Sequence, residues 1–107
     1  MAPHVSTPQT QFSPPPPPEA LIGADRETVA MRLGKPVFLM RGQASEIWQY
    51  RAQGCVLDLF LYEDGGTLRV AYLEARDLSG VAVSSGDCLR AVHSVRQPWP
   101  DATMAGT

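Results

Sequence analysis

Two cysteines, Cys55 and Cys88, stand 33 positions apart in a chain whose only histidines are His4 and His93. Three chemistries use such residues. A structural zinc site takes about four ligands, and His4 lies in a proline-rich stretch remote from the rest, so the ligand set for a metal is incomplete. A nucleophilic thiol needs a base within hydrogen-bond reach. His93 follows Cys88 by five positions, about 140° round a helix, and points elsewhere. The third chemistry is a disulfide, with two buried free thiols as its alternative.

The carboxylates form no acid–base pair. Glu63-Asp64 reads as a turn edge, and Glu74 and Asp77 as the solvated end of a strand. Asp58 stands mid-strand between Val56 and Phe60, where it is expected to pair with Arg69 or Arg51 across a sheet, with partner binding as the other reading. No Ser-His-Asp set, phosphate-binding glycine loop or metal motif is present. The expectation is a protein that is not an enzyme, takes no cofactor or metal, and has no small-molecule substrate.

The elements that position these residues are legible from period and punctuation. Asp25 is a good N-cap, Val29 and Leu33 share one helical face, Gly34 suits the left-handed position past a helix end, and Pro36 prevents continuation. That predicts a short helix over 26–33. Val37–Arg41, Glu46–Arg51, Cys55–Glu63 and Thr67–Arg76 read as antiparallel strands, with Gly42-Gln43-Ala44, Gln53-Gly54 and Asp64-Gly65-Gly66 as turns. Asp87 is the expected cap of a last helix running from Cys88 to about Arg96, with Cys88, Val92 and Val95 on its stripe. The fold class is therefore α+β: a three- to four-stranded antiparallel meander with one short helix before it and one after, packed on one face.

Strand parity assigns the faces. A two-residue turn at Asp64-Gly65 or Gly65-Gly66 pairs odd positions with even ones, so Leu57, Leu59 and Leu61 share a face with Leu68, Val70 and Tyr72. Gln53-Gly54 as a two-residue turn adds Trp48 and Tyr50 to that face and leaves Gln49 and Arg51 outside, the arrangement that buries the aromatics; a three-residue loop with Gly54 as a bulge would reverse this. With Val29, Leu33 and Val92 these form the expected core. Cys55 has the parity of the leucines and Cys88 opens the docking stripe of the last helix, which makes the disulfide a core staple stabilising by about 3–4 kcal/mol in the chain-entropy model. The opposite face carries Val56, Asp58, Phe60, Tyr62, Arg69 and Leu73. Its apolar members make a patch rimmed by charge, which reads as a partner-binding surface, or as a surface covered by the C-terminal tail through Trp99.

The bulk numbers agree with one small domain. Of 107 residues, 1–19 hold seven of the ten prolines, including Pro14 through Pro18, and read as a polyproline tether. The folded domain is expected over 20–97, with 98–107 a flexible tail. A domain this small buries only about 60% of its unfolded surface, so a covalent staple matters. Net charge −2 offers no basic field for nucleic acid, and no apolar run is long enough to span a membrane.

Leu21-Ile22-Gly23, Val29, Leu33-Gly34-Lys35-Pro36, Trp48-Gln49-Tyr50 and Leu57-Asp58-Leu59-Phe60-Leu61 together resemble the SmpA/OmlA (BamE-like) small periplasmic lipoproteins, over about residues 21–76. The likeness is closest to alphaproteobacterial members carrying a strand like Gly54–Tyr62 and a proline-rich segment after a lipidated cysteine. It implies a periplasmic, membrane-tethered domain that acts through protein contacts, including contacts with a membrane-associated complex. It also implies a native reading frame that opens upstream with a signal and lipobox. A second resemblance, in architecture, is to beta-lactamase-inhibitor proteins. It supports the alternative of a proteinaceous enzyme inhibitor or an accessory subunit of a larger complex.

Overall fold

The computed structural model describes residues 15–97. In chain order the elements are α1 (Pro18–Leu21), α2 (Arg26–Leu33), β1 (Phe38–Arg41), β2 (Ser45–Ala52), β3 (Cys55–Asp64), β4 (Thr67–Asp77) and α3 (Ser85–Ser94). The strands form one antiparallel sheet in the order β1-β2-β3-β4, with the helices on one face. This is the expected α+β meander, with a further helical turn at its start. Proline at the first position of α1 costs that turn no hydrogen bond. Because Pro16 is buried and α1 begins at Pro18, the folded domain reaches into the proline run expected to serve as tether. The tether and tail expectations for 1–14 and 98–107 lie outside the described residues.

Local chemistry sets the helix ends. The Asp25 carboxylate accepts the Thr28 N–H at 2.9 Å and opens α2. Gly34 closes it at φ +76°, with its N–H on the Ala30 carbonyl at 2.8 Å. A side chain at 34 would also collide with the Gln97 carbonyl, because the chain after α3 returns to lie parallel to Gly34. The cap of α3 is Ser84, whose hydroxyl accepts the Asp87 N–H, and not Asp87 as expected. The helix starts earlier and ends at Ser94, so Leu89 and His93 join Cys88 and Val92 as its buried residues while Val95 is exposed.

The sheet meets the helices through Leu57, Leu59 and Leu61 of β3, Trp48 and Tyr50 of β2, and Val70 and Ala75 of β4. Against them pack Leu21, Val29, Leu33, Leu89 and Val92, all buried. Ala52 pairs with Cys55 and Asp64 with Thr67, so Gln53-Gly54 and Gly65-Gly66 are two-residue turns. Cys55 and Cys88 are joined in a disulfide with Cα atoms 6.0 Å apart. It fastens the start of β3 to the first turn of α3. Burial pushes the Tyr50 phenol far above its ordinary range, and its hydroxyl donates to the Gly34 carbonyl at 2.9 Å.

Parity fails at one place. The β3–β4 register shifts between Phe60 and Leu61, where Phe60 faces Tyr72 and Leu61 faces Val70, leaving Ala71 extra on β4. Beyond this bulge every β4 side chain changes face. Tyr72, expected in the core, therefore stands exposed on the outer face, and Leu73, expected outside, turns in against the core. Leu68, before the bulge, stays on the inner side and is half-buried. The bulge coincides with a long-range pairing on the far edge of β4. There Gly23 donates to the Val70 carbonyl at 2.8 Å and Val70 donates to Ala24 at 2.9 Å, so the backbone of residue 70 is held by the segment leading into α2.

Candidate interaction face

The outer face of the sheet divides into two halves. In the lower half, Asp58 is 7% exposed and carries two cross-strand partners. Gln49 Nε2 donates to it at 3.1 Å, and the Arg76 guanidinium forms an ion pair with its other oxygen. The expected partners Arg69 and Arg51 are not used. The bulge slides β4 so that Glu74 faces Asp58 and Arg76 lies on the diagonal. Arg69 donates instead to the Gly23 carbonyl at 3.1 Å. Val56, between Arg51 and Arg76 in the ladder, is buried. Asp58 and Val56 are thus structural members of the face, committed before any partner arrives.

The upper half is apolar and open. Met40 faces Ile47, Ile47 faces Phe60, and Phe60 faces Tyr72, so one row crosses all four strands. Phe60 and Tyr72 are stacked with centroids 4.5 Å apart and planes 11° from parallel, a geometry that adds about 0.5–1.5 kcal/mol beyond area burial. Phe38 (50% exposed), Met40 (49%), Tyr62 (46%) and Tyr72 (42%) all present large apolar area to solvent. Of the residues expected on this surface, Phe60 and Tyr62 are in the open patch and Arg69 is at its rim, cross-strand from Tyr62. Val56 and Asp58 sit below it, and Leu73 is on the other face.

Phe38, Met40 and Ile47 are additions the sequence reading missed. Ile47 has the parity opposite to Trp48 and Tyr50, which the two-residue turn at Gln53-Gly54 aims inward, so that signal was available. For Phe38 and Met40 the signal was weaker, because a four-residue strand between Pro36 and Gly42 gives parity little to work on.

A further missed residue lies on the inner side. Glu46 is 5% exposed, accepts the Trp48 indole N–H at 2.8 Å, and faces Arg26 Nε at 3.2 Å and Arg41 Nε at 3.1 Å. It ties the start of α2, the end of β1 and the middle of β2 together, and its charge is met by two guanidiniums. Among the described residues no group of three or more His, Cys, Asp or Glu is placed to hold a metal ion. No helix described is long and apolar enough to cross a membrane. No protein-family model, curated protein or solved structure matches the chain.

Proposed function

We propose that this chain is a non-catalytic protein-interaction module of the cell envelope, and that it binds its partner through the upper half of the outer sheet face. The observation that carries the reading is the apolar row Met40–Ile47–Phe60–Tyr72, flanked by Phe38 and Tyr62, which no other element among the described residues covers. A small domain with a separate core gains nothing in its own stability from large apolar side chains left in water, whereas aromatic and methionine side chains are enriched at protein interfaces. The non-catalytic part is supported by the commitment of the chemistry-bearing groups: both cysteines are oxidised together, and Glu46 and Asp58 are each neutralised by arginine. The envelope part is supported by the disulfide, since structural disulfides persist in oxidising compartments, and by the resemblance to small periplasmic lipoproteins.

Photo-crosslinking tests the face directly. A photoreactive side chain at Tyr62 is expected to give a discrete covalent adduct in envelope extract. The same group at Met31, exposed on the helical side, is expected to give none. Equal adduct patterns from both positions, or none from Tyr62, refute the assignment.

A further inference from the structure

We infer that the helical side of this domain docks on an anionic membrane surface through Arg32, Lys35 and Arg96, with Met31 entering the lipid layer, a contact separate from the interaction face. Three segments meet at one corner of the fold. α2 ends at Leu33, Gly34 pairs with Gln97 beyond the end of α3, and the Lys35 N–H donates to the Gln97 carbonyl at 2.7 Å. The Arg96 guanidinium donates to the His93 carbonyl at 3.0 Å and lies 3.5 Å from His93 Nε2. Burial, then Arg96 and Arg32, hold the His93 imidazole below its usual range, so both guanidiniums stand near the same buried ring.

Positive charge gathers at this corner of an acidic molecule. Residues 28–45 and 88–97 hold Arg32, Lys35, Arg41, Arg90, His93 and Arg96 and no Asp or Glu, although the whole chain carries −2. Arg41 is paired with Glu46 and Arg90 with Asp87. Arg32, Lys35 and Arg96 are exposed and form no ion pair among the described residues. A surface of anionic headgroups supplies the counter-charges that the domain itself does not.

Exposed aliphatic side chains select a membrane over an acidic protein or a nucleic acid. Met31 is 82% exposed and lies about 200° round α2 from both Val29 and Leu33, so it points away from the core. Val37 is 60% exposed and follows Lys35 by two positions; Val95 is 55% exposed and precedes Arg96. Set among cations, such side chains leave water where hydrocarbon begins just beneath a layer of phosphates. Because the helices cover the inner face of the sheet, docking on their side turns the outer face away from the bilayer and leaves its apolar row open to a protein. Met31 then meets lipid, in keeping with the absence of a protein adduct expected there.

Co-sedimentation of the full chain with lipid vesicles tests this. The vesicles are phosphatidylcholine with about 30% phosphatidylserine, and pure phosphatidylcholine is the control. Binding is expected to the anionic vesicles alone, and to weaken as salt is raised. Arg32→Gln with Lys35→Gln, both at exposed side chains, should weaken it about twentyfold or more, taking about fivefold for each charge removed. Met31→Gln should weaken it about three- to tenfold through lost burial of the side chain. Arg51→Gln removes an equal charge from an exposed position on β2 and should change binding by less than about twofold. No binding to anionic vesicles, equal binding to both kinds, or equal weakening by Arg51→Gln overturns the inference. So does binding that Met31→Gln leaves unchanged, or that inorganic phosphate competes away at constant ionic strength, which marks a site for a soluble anion. No partner protein enters these measurements, so they stand or fall apart from the crosslinks at Tyr62.

Discussion

Removing the disulfide by the paired substitution Cys55→Ala with Cys88→Ala is the most demanding test of how this domain holds together. The bond closes a loop of 33 residues. In the chain-entropy model that constrains the unfolded chain by about 12.5 cal/mol/K, or about 3.7 kcal/mol at 25 °C. Domains have about 0.05–0.15 kcal/mol of stability per residue, so residues 15–97 would total about 4–12 kcal/mol, and the bond is about three-tenths of that or more. Leu89 and Val92 remain buried without it, so α3 is expected to stay docked and the variant to fold. Urea unfolding followed by circular dichroism should show the loss as a lower midpoint. The slope should rise, because the uncrosslinked unfolded chain exposes more surface. Thermal melts should fall by about 15–30 °C, taking about 4–8 °C per kcal/mol for a domain of this size. A loss under about 1 kcal/mol with unchanged slope would refute the entropic account. Two freely alkylated thiols in the native protein would refute the bond itself.

Four other outcomes follow from the same contacts. Glu46→Gln keeps an acceptor for the Trp48 indole and removes the charge facing Arg26 and Arg41; with both guanidiniums partly in solvent, the expected cost is about 1–3 kcal/mol by urea unfolding. Gly34→Ala forces a side chain into positive φ and against the Gln97 carbonyl, and should cost about 1–3 kcal/mol and expose the Lys35 amide to exchange. Asp25→Ala removes the α2 cap at a cost of about 1 kcal/mol, read from the urea midpoint. Burial, then Arg96 and Arg32, hold the His93 imidazole below its usual range. The unfolded chain therefore binds the proton first as pH falls, and stability present above about pH 6.5 should decline below it. His93→Gln should flatten that part of the stability–pH curve, and an unchanged slope would exclude His93 as its source.

Most of the inner face was legible because period-2 alternation is strong where strands are long and turns are two residues. Trp48, Tyr50, Leu57, Leu59 and Leu61 all follow from Gln53-Gly54 and the leucine spacing, and the same parity aims Cys55 at α3. The reading broke at Ala71. No residue type there announces a bulge, because the bulge accompanies a long-range event: the backbone of residue 70 pairs with residues 23 and 24, some 46 positions earlier. One extra residue then exchanged Tyr72 and Leu73 between faces and brought Arg76 to the diagonal of Asp58. Glu46 was hidden for a different reason. A glutamate at an inward position contradicts the hydrophobic pattern unless its partners are known, and these come from α2 and β1, two elements that pattern alone cannot bring together.

The bulge and the two edges belong to one arrangement. Pairing of residues 23–25 with β4 gives α2 a fixed starting point beside the sheet, and the accompanying register shift turns Tyr72 out onto Phe60. The same pairing occupies one end of the β4 edge, while Ala82 on Arg76 occupies the other. What helps to close β4 against strand addition therefore also completes the apolar row on the outer face. The apolar side chains Phe38 and Met40 of β1 extend that face to the other side of the sheet. The coupling has a consequence: deleting Ala71 should place Tyr72 directly after Val70 and still opposite Phe60, so the stack is kept in an unbroken ladder. The deletion should also loosen residues 23–25 from β4, seen as faster exchange of the Gly23 and Val70 amides. Retention of both amide protections after the deletion would separate the bulge from the pairing and dissolve this link.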